Sequence, residues 1–359
     1  MEKLKVAIIF GGRSGEHEVS LVSATSVIKA MDRAKYEVIE IGITEDGRWL
    51  EGEGCLEKFK KKDFSDLDEV LLSTRVDNPN RPDIVFPVLH GPFGEDGTIQ
   101  GLLEMLQIPY VGCNTLASST AMDKLQCKAI WEAAGLPVVP YVGFNKKAWA
   151  EKKAEILQDI KDDLGFPCFV KPANMGSSVG ISKVKAEGDL EEAIDLAAKY
   201  DRRILVEEGL NVREIECAVI GNDDVEASPL GEVIVGGEFY DFYDKYVNGV
   251  SMTEVPAQIE ESLSKRMREM CIKSFKVLDC CGLSRVDSFI DRDTGQIYLN
   301  EINTMPGFTS ISMYPKMMEA HGVKYGELID KLISLGIERH EENQKKQISF
   351  ESGSDWYNE

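Results

Sequence analysis

No stretch narrows the folds open to this chain more than residues 284–307, S-R-V-D-S-F-I-D, a turn carrying D-T-G, then Q-I-Y-L-N-E-I-N-T-M-P-G. Two β-like runs around Asp293, Thr294 and Gly295 predict a hairpin. Strand side chains alternate faces, so Glu301 and Asn303 point the same way. With Asp287 from the first strand they bring three oxygen-bearing side chains to one spot, a donor set suited to Mg²⁺. Arg285, two positions before Asp287, projects from the same side, and a cation beside an arginine suits phosphate groups. A hairpin with acids on one side is usually a solvated sheet face. Here Val286, Phe289, Ile290, Ile297, Tyr298, Leu299 and Ile302 make the strands too apolar for an exposed edge. Carboxylates embedded there need a counter-charge, and phosphoryl chemistry is the first hypothesis.

Composition bounds the rest. A chain of 359 residues predicts two or three domains, and 43% hydrophobic with 29% charged residues is ordinary for a globular protein. No apolar run approaches the roughly 20 residues that span a bilayer. The chain enters a strand at Leu4 to Phe10, so no signal peptide is expected. The eight cysteines, several in apolar runs, read as reduced core residues of a cytoplasmic protein. A net charge of −21 argues against nucleic acid or an anionic membrane as partner. An acidic protein that binds a polyanion must concentrate cations locally.

The first third alternates strand-like and helix-like stretches: Val6 to Phe10, a helix from about Ser20 to Met31, then Val38 to Ile43 and Ile84 to Leu89. This β-α-β pattern predicts a parallel sheet covered by helices. The polar stretch 51–82 reads as a peripheral insertion. A boundary falls near Val111 to Ser119; Thr120 to Asp123 reads as a capping signal for a helix that stops at Gly135 and Pro137. The expected blocks are 1–118, 119–207 and 208–337, followed by a polar tail, 338–359, read as a frayed helix and disordered end.

Several constellations add chemistry. Gly11, Gly12 and Gly15 follow a strand, but G-G-x-x-G is not the dinucleotide fingerprint G-x-G-x-x-G. Glu16 suits an ammonium, and equally serves as a helix N-terminal charge. His90 to Gly97, H-G-P-F-G-E-D-G, lies at the end of a strand, where open α/β sheets bind ligands. Lys171 to Gly180, K-P-A-N-M-G-S-S-V-G, is a strand lysine followed by a donor-rich loop able to fold over phosphates. Glu207 and Glu208 end a strand and Glu214 follows; they are ribose acceptors or solvated acids. Tyr240 to Val255 has the irregular aromatic character of a lid.

In this order the motifs closely resemble the D-alanine–D-alanine ligases of the ATP-grasp superfamily: G-G-x-S-x-E-H-E-V-S, H-G-x-x-G-E-D-G, M-D-K, K-P-x-x-x-G-S-S-x-G, D-K-Y and N-E-x-N-T-x-P-G, from Val6 to about Leu335. The resemblance implies an α/β, three-domain ATP-grasp fold with an N-terminal Rossmann-like parallel-sheet domain, and ATP gripped between the second and third domains. It implies a nucleotide site at Lys124, Lys171, Ser177, Ser178, Glu207, Glu214 and Asn300, with the hinge Glu208, Gly209 and Leu210 beside the adenine and Lys245 at the γ-phosphate. Asp287, Glu301 and Asn303 match the ligands of two Mg²⁺ (or Mn²⁺) ions. Glu16 matches the holder of the first substrate's ammonium, linked to Ser177 and the lid residue Tyr246, with His90 nearby. Arg285 and the Gly307 N–H match the oxyanion-stabilising pair, and Ser312 and Met313 the pocket for the second substrate.

The implied reaction is ATP-dependent joining of two D-alanines through a D-alanyl phosphate, for peptidoglycan precursor synthesis, in a cytoplasmic homodimer. Met313 stands where the family usually has leucine, and Gly209 replaces a larger hinge residue. Tyr246 favours an amine as second substrate. The alternatives are a D-alanine–D-serine or other D-amino acid ligase, a nicotinamide-dependent dehydrogenase and a non-catalytic nucleotide sensor.

Overall fold

The computed structural model describes residues 3–70, 81–234, 252–347 and 349. The first apolar run is β1 (Leu4–Gly11), with Val6 to Phe10 fully buried. A strand buried on both faces belongs in a parallel sheet covered on both sides. After α1 (His17–Ala30) come β2 (Tyr36–Ile43), β3 (Trp49–Glu51), α2 (Cys55–Lys60), β4 (Asp68–Glu69), β5 (Ile84–Pro87) and α3 (Thr98–Met105). β1 pairs parallel with β2 and β5, while β3 and β4 add antiparallel at the edge, in the order β4-β3-β2-β1-β5. α1 starts earlier than its apolar pattern indicates, because Glu16 O already accepts from Ser20 N at 3.0 Å.

The stretch 51–82 is not peripheral throughout: α2 enters the core, while most of residues 61–70 are exposed. Cys55, Leu56 and Phe59 of α2 are buried in the first core. Phe59 meets the Phe10 ring edge-on at 5.4 Å and lies so close to Gly42 that a Cβ there would come within 2.2 Å of its ring. The surrounding lysines and aspartates hide this short amphipathic helix.

The middle of the chain forms α4 (Thr115–Met122), α5 (Lys124–Ala133), β6 (Tyr141–Asn145), α6 (Lys146–Asp163), β7 (Cys168–Pro172), β8 (Ser182–Val184), α7 (Leu190–Tyr200) and β9 (Arg203–Glu208). Thr120 does not cap a helix: it lies inside α4 and donates to Leu116 O at 2.8 Å. Asp123 is the cap, accepting from Leu125 N and Gln126 N at 3.0 Å each. The antiparallel sheet β6-β9-β7-β8 packs Cys168, Val170, Ile204 and Val206 against α6 and α7. Alternation turns Lys171, Leu205 and Glu207 to the other face.

The third sheet contains β10 (Val212–Gly221), β11 (Glu226–Ala227), β12 (Gly231–Ile234) and β13 (Met252–Glu254); then, after α8 (Glu261–Val277), β14 (Gly282–Asp291) and β15 (Ile297–Asn303). All pairs are antiparallel, in the order β13-β12-β10-β14-β15 with β11 beside β10. Cys127 and Trp131 of α5 share a core with Ile215, Phe275 and Val286, so α4 and α5 pack on this sheet, while Leu125 of α5 packs with Ala173 and Leu205 at the middle sheet. α9 (Met313–Ala320) and α10 (Tyr325–Gln344) complete the fold.

The expected frayed start of the tail is also corrected. Helix α10 continues to Gln344, and Arg339 donates to Tyr110 O at 3.0 Å and to Gly112 O, its guanidinium 4.1 Å from the Tyr110 ring centre. All eight cysteines are buried free thiols. Among the described residues no helix is long and apolar enough to cross a membrane.

If α2 is core, Phe59→Ala should cost about 3–5 kcal/mol in denaturant unfolding. A loss below about 1 kcal/mol, the range of surface changes, would return 51–82 to the periphery.

Candidate active site

The hairpin is β14 and β15, and its register brings like charges face to face. Glu216 of β10 sits opposite Asp287 of β14, which sits opposite Glu301 of β15. Like charges in directly opposed positions destabilise a sheet. Arg285 answers them: Nε and Nη2 donate to the two Asp287 oxygens at 2.7 and 2.6 Å, and Nε lies 3.2 Å from Glu216 Oε2. Burial works against the guanidinium's charge, but Asp287 and Glu216 outweigh it and hold the Arg285 pKa well above its ordinary value. Asn303 Nδ2 donates to Asp287 at 3.0 Å, and Lys124 Nζ lies 3.3 Å from Glu301 Oε2.

The ladder slips between Asp287 and Ser288: Asp287 faces Glu301 and Ser288 faces Leu299, leaving Asn300 as an extra residue. Such a bulge re-aims side chains. Leu299 and Ile302 enter the core, while the consecutive Asn300 and Glu301 both line the cleft.

The second group of charges is buried under the middle sheet. Glu207 takes Lys128 Nζ at 2.6 Å on one oxygen and Lys171 Nζ on the other; Lys128 and Glu207 are almost fully buried. The Lys128 contact is an ion pair, close in distance but poorly aligned for a hydrogen bond. Burial alone would raise the Glu207 carboxyl; the two ammoniums overcome it and hold it down at about 2. Lys124 Nζ donates to Met175 O at 2.9 Å, tying α5 to the glycine-serine loop. Asn174 anchors the start of that loop, donating to Asp123 Oδ2 at 3.1 Å and Asp201 Oδ2 at 2.9 Å.

The loop's tip reaches the first domain. Ser177 Oγ donates to Glu16 Oε1, and Ser177 and Ser178 both hold positive φ, at 50° and 59°. Gly91 N donates to Glu95 Oε1 at 2.8 Å. Burial, and then the neighbouring Glu16 carboxylate, push Glu95 up to about 8. At the hinge Gly209 N donates to Pro167 O at 2.8 Å, and a Cβ at this glycine would lie 2.4 Å from that oxygen. A larger hinge residue therefore does not fit this backbone. Met313, buried, lies over Gly231.

One cleft of about 1330 Å³ is lined by every described residue that the family resemblance assigns to the site, whereas Gly11, Gly12 and Gly15 lie outside it. From the first domain and the loop these are Glu16, His90, Ser177 and Ser178; from the middle sheet and α5, Lys124, Lys171 and Glu207; from the hinge and β10, Glu208, Gly209, Leu210 and Glu214. The hairpin and the segment after it add Arg285, Asp287, Asn300, Glu301, Asn303, Gly307, Ser312 and Met313. Lys245 and Tyr246 lie outside the described residues. Sequence reasoning missed Glu216, Glu95 and Lys128. Glu216 follows Glu214 by two on a strand, Glu95 sits inside the H-G-P-F-G-E-D-G motif, and Lys128 follows Lys124 by four on a helix; each spacing was a usable signal.

The donor set fits a magnesium ion in one particular way. Among the described residues no group of three or more His, Cys, Asp or Glu side chains forms a metal cage. Two carboxylates and an amide suit an ion that takes its remaining ligands from water and substrate phosphates, as Mg²⁺ does.

The Lys128–Glu207–Lys171 group yields a stability test. Lys128→Met leaves Glu207 one ammonium, and breaking such a buried set costs about 3–5 kcal/mol near neutral pH. Glu207 is depressed, so its stabilisation is complete above the ordinary carboxylate range and is lost as pH falls towards about 2. The stability gap between wild type and variant should therefore narrow at about pH 3. An equal gap at both pH values in urea titrations would contradict this account of Glu207.

The D-ala D-ala ligase N-terminus family model matches residues 5–113, and the D-ala D-ala ligase C-terminus model residues 130–334. The D-alanine–D-alanine ligase of Ruminiclostridium cellulolyticum is 49% identical over 96% of this chain and 98% of its own, and that of Acetivibrio thermocellus 45% over 96% and 99%. Among solved structures, the D-alanine–D-alanine ligase from Coxiella burnetii superimposes with TM-score 0.84 at 36% identity, covering 96% of this chain and 97% of that one. VanG D-Ala:D-Ser ligase from Enterococcus faecalis gives 0.83 at 38%, covering 93% and 100%. With three sheets, a shared cleft and both family models matched in order, the chain belongs to the D-alanine–D-alanine ligase family and has its ATP-grasp fold.

Proposed function

We infer that the chain joins two D-alanines into D-alanyl-D-alanine at the cost of one ATP, releasing ADP and phosphate, as a step of peptidoglycan precursor synthesis. The carrying observation is that cations for a nucleotide, acids for an ammonium and a half-buried arginine line a single cleft. The relatives named D-alanine–D-alanine ligase, at 45–49% identity, support the same substrate.

In this reading Glu208, Gly209 and Leu210 border the adenine, Glu207 and Glu214 complete the nucleoside site, and Lys124, Lys171, Ser177, Ser178 and Asn300 meet the phosphates. Asp287, Glu301 and Asn303 would hold Mg²⁺ or Mn²⁺, which when bound neutralises phosphate charge. Glu16, steadied by Ser177, takes the ammonium of the first D-alanine near His90. A carboxylate oxygen of that D-alanine attacks the γ-phosphorus, and the bond to the β-phosphate oxygen breaks to release ADP. The amine of the second D-alanine, positioned by Ser312 and Met313, then attacks the acyl carbon. It loses a proton, and phosphate departs. Arg285 and the Gly307 N–H stabilise the oxyanion formed in that step. Acyl phosphates hydrolyse readily, so water exclusion by the segment bearing Lys245 and Tyr246 completes the reading. Eight buried free thiols support a reducing compartment, the cytoplasm. The family resemblance alone carries the homodimer.

Phosphate release with ATP, Mg²⁺ and D-alanine alone should match or exceed that with D-serine or D-lactate added, with D-alanyl-D-alanine as product. Turnover that requires D-serine would move the chain to the activity named for the VanG relative. Turnover unaffected by a chelator would remove the metal assignment.

A further inference from the structure

Ser23, on α1 two turns beyond Glu16, is a fully buried hydroxyl that the reaction scheme does not use. Its Oγ lies 2.9 Å from His90 Nε2 and 3.4 Å from Phe308 N. On the other side of the ring, His90 Nδ1 lies 3.1 Å from Met305 O. A carbonyl oxygen only accepts, so Nδ1 carries the proton. Burial lowers the His90 pKa, ahead of the opposing pull of Glu16, and keeps the ring neutral with Nε2 as acceptor.

Only one direction of donation satisfies all three groups. Phe308 N–H donates to Ser23 Oγ, the Ser23 hydroxyl donates to His90 Nε2, and His90 Nδ1–H donates to Met305 O. The circuit leaves the segment 305–308 at one end and returns to it at the other. Gly307 lies between those two ends. Tyr325 Oη of α10 donates to Phe308 O at 2.6 Å, fixing the same segment from the opposite side. The Phe308 ring is fully buried against Phe86 and Tyr314, with centres 5.7 and 5.9 Å away.

We propose that Ser23 is a positioning residue for the ligation: acting with His90, it clasps Met305 and Phe308 and so sets the direction in which the Gly307 amide points. This rests on the reading of Gly307 as an oxyanion donor. A donor for developing charge must be aimed before the reaction, and a small angular error is costly. The clasp also joins the first domain to the third, so the amide is aimed only when the two are docked. Both ring nitrogens of His90 are engaged by protein groups, which assigns the imidazole to holding this segment rather than exchanging protons with substrate.

The test has two arms. In ¹⁵N-histidine spectra of the unliganded wild-type protein, assigned through His90→Asn, His90 should show a protonated Nδ1 and a bare Nε2 near neutral pH. A proton on Nε2 would overturn the clasp. In steady-state assays Ser23→Ala should lower kcat about 10- to 100-fold while KM for ATP stays within about twofold, with cooperative unfolding retained. A kcat within about twofold of wild type, or a parallel loss of ATP affinity, would overturn the proposal. If Ser23→Ala does not fold, Ser23→Cys, a weaker donor of similar size, is read by the same criteria. A wild-type protein without D-alanine-dependent turnover would instead overturn the ligase reading, and the imidazole spectrum would still judge the clasp.

Discussion

Glu216, Asp287 and Glu301 stand in register across three strands, and the rest of the site is a response to that repulsion. A sheet with carboxylates opposed in this way needs positive charge from elsewhere. Arg285 supplies it from the same strand and Lys124 from α5. Those same cations line the cleft in which we place a nucleotide's phosphates and the oxyanion of amide formation. In a chain of net charge −21, such a concentration is what makes binding a polyanion feasible.

The architecture holds these charges through contacts between distant parts of the chain. α4 and α5 pack on the third sheet, yet Lys124 and Asp123 reach to Met175 and Asn174 of the loop after β7. That loop in turn touches Glu16 of the first domain through Ser177. The last helix, α10, runs back to the first sheet, where Arg339 holds Tyr110 and Gly112. The cleft is thus closed on three sides by elements that come from different thirds of the sequence. Displacing one of them disturbs the others.

The hairpin was legible because its signals are local: apolar alternation, a D-T-G turn, and charged residues two apart. The bulge at Asn300 was not, since one extra residue changes no composition or period over so short a span. The capping role passed from Thr120 to Asp123 because a T-x-x-D pattern fits either residue until the helix break is known. Residues 51–60 looked like a polar insertion because their charged residues, Glu51, Glu53, Glu57, Lys58 and Lys60, outnumber the three side chains that α2 buries. Glu338 to Gln344 looked frayed because Arg339 is polar, although its guanidinium finds carbonyls and an aromatic face to pair with. Lys128 was passed over because a lysine on an amphipathic helix is usually solvated, and only its neighbour Glu207 explains why it is buried. For Arg339 and Lys128 the deciding partner was far away in the chain.

The central claim is that ATP chemistry and amide formation meet at the β14–β15 hairpin, with the first D-alanine carboxylate as the nucleophile towards phosphorus. D-alanine labelled with ¹⁸O in its carboxylate tests this directly. After turnover with ATP and Mg²⁺, mass spectrometry of the inorganic phosphate should find one ¹⁸O atom carried over per dipeptide formed. Dipeptide formed with unlabelled phosphate would contradict the account.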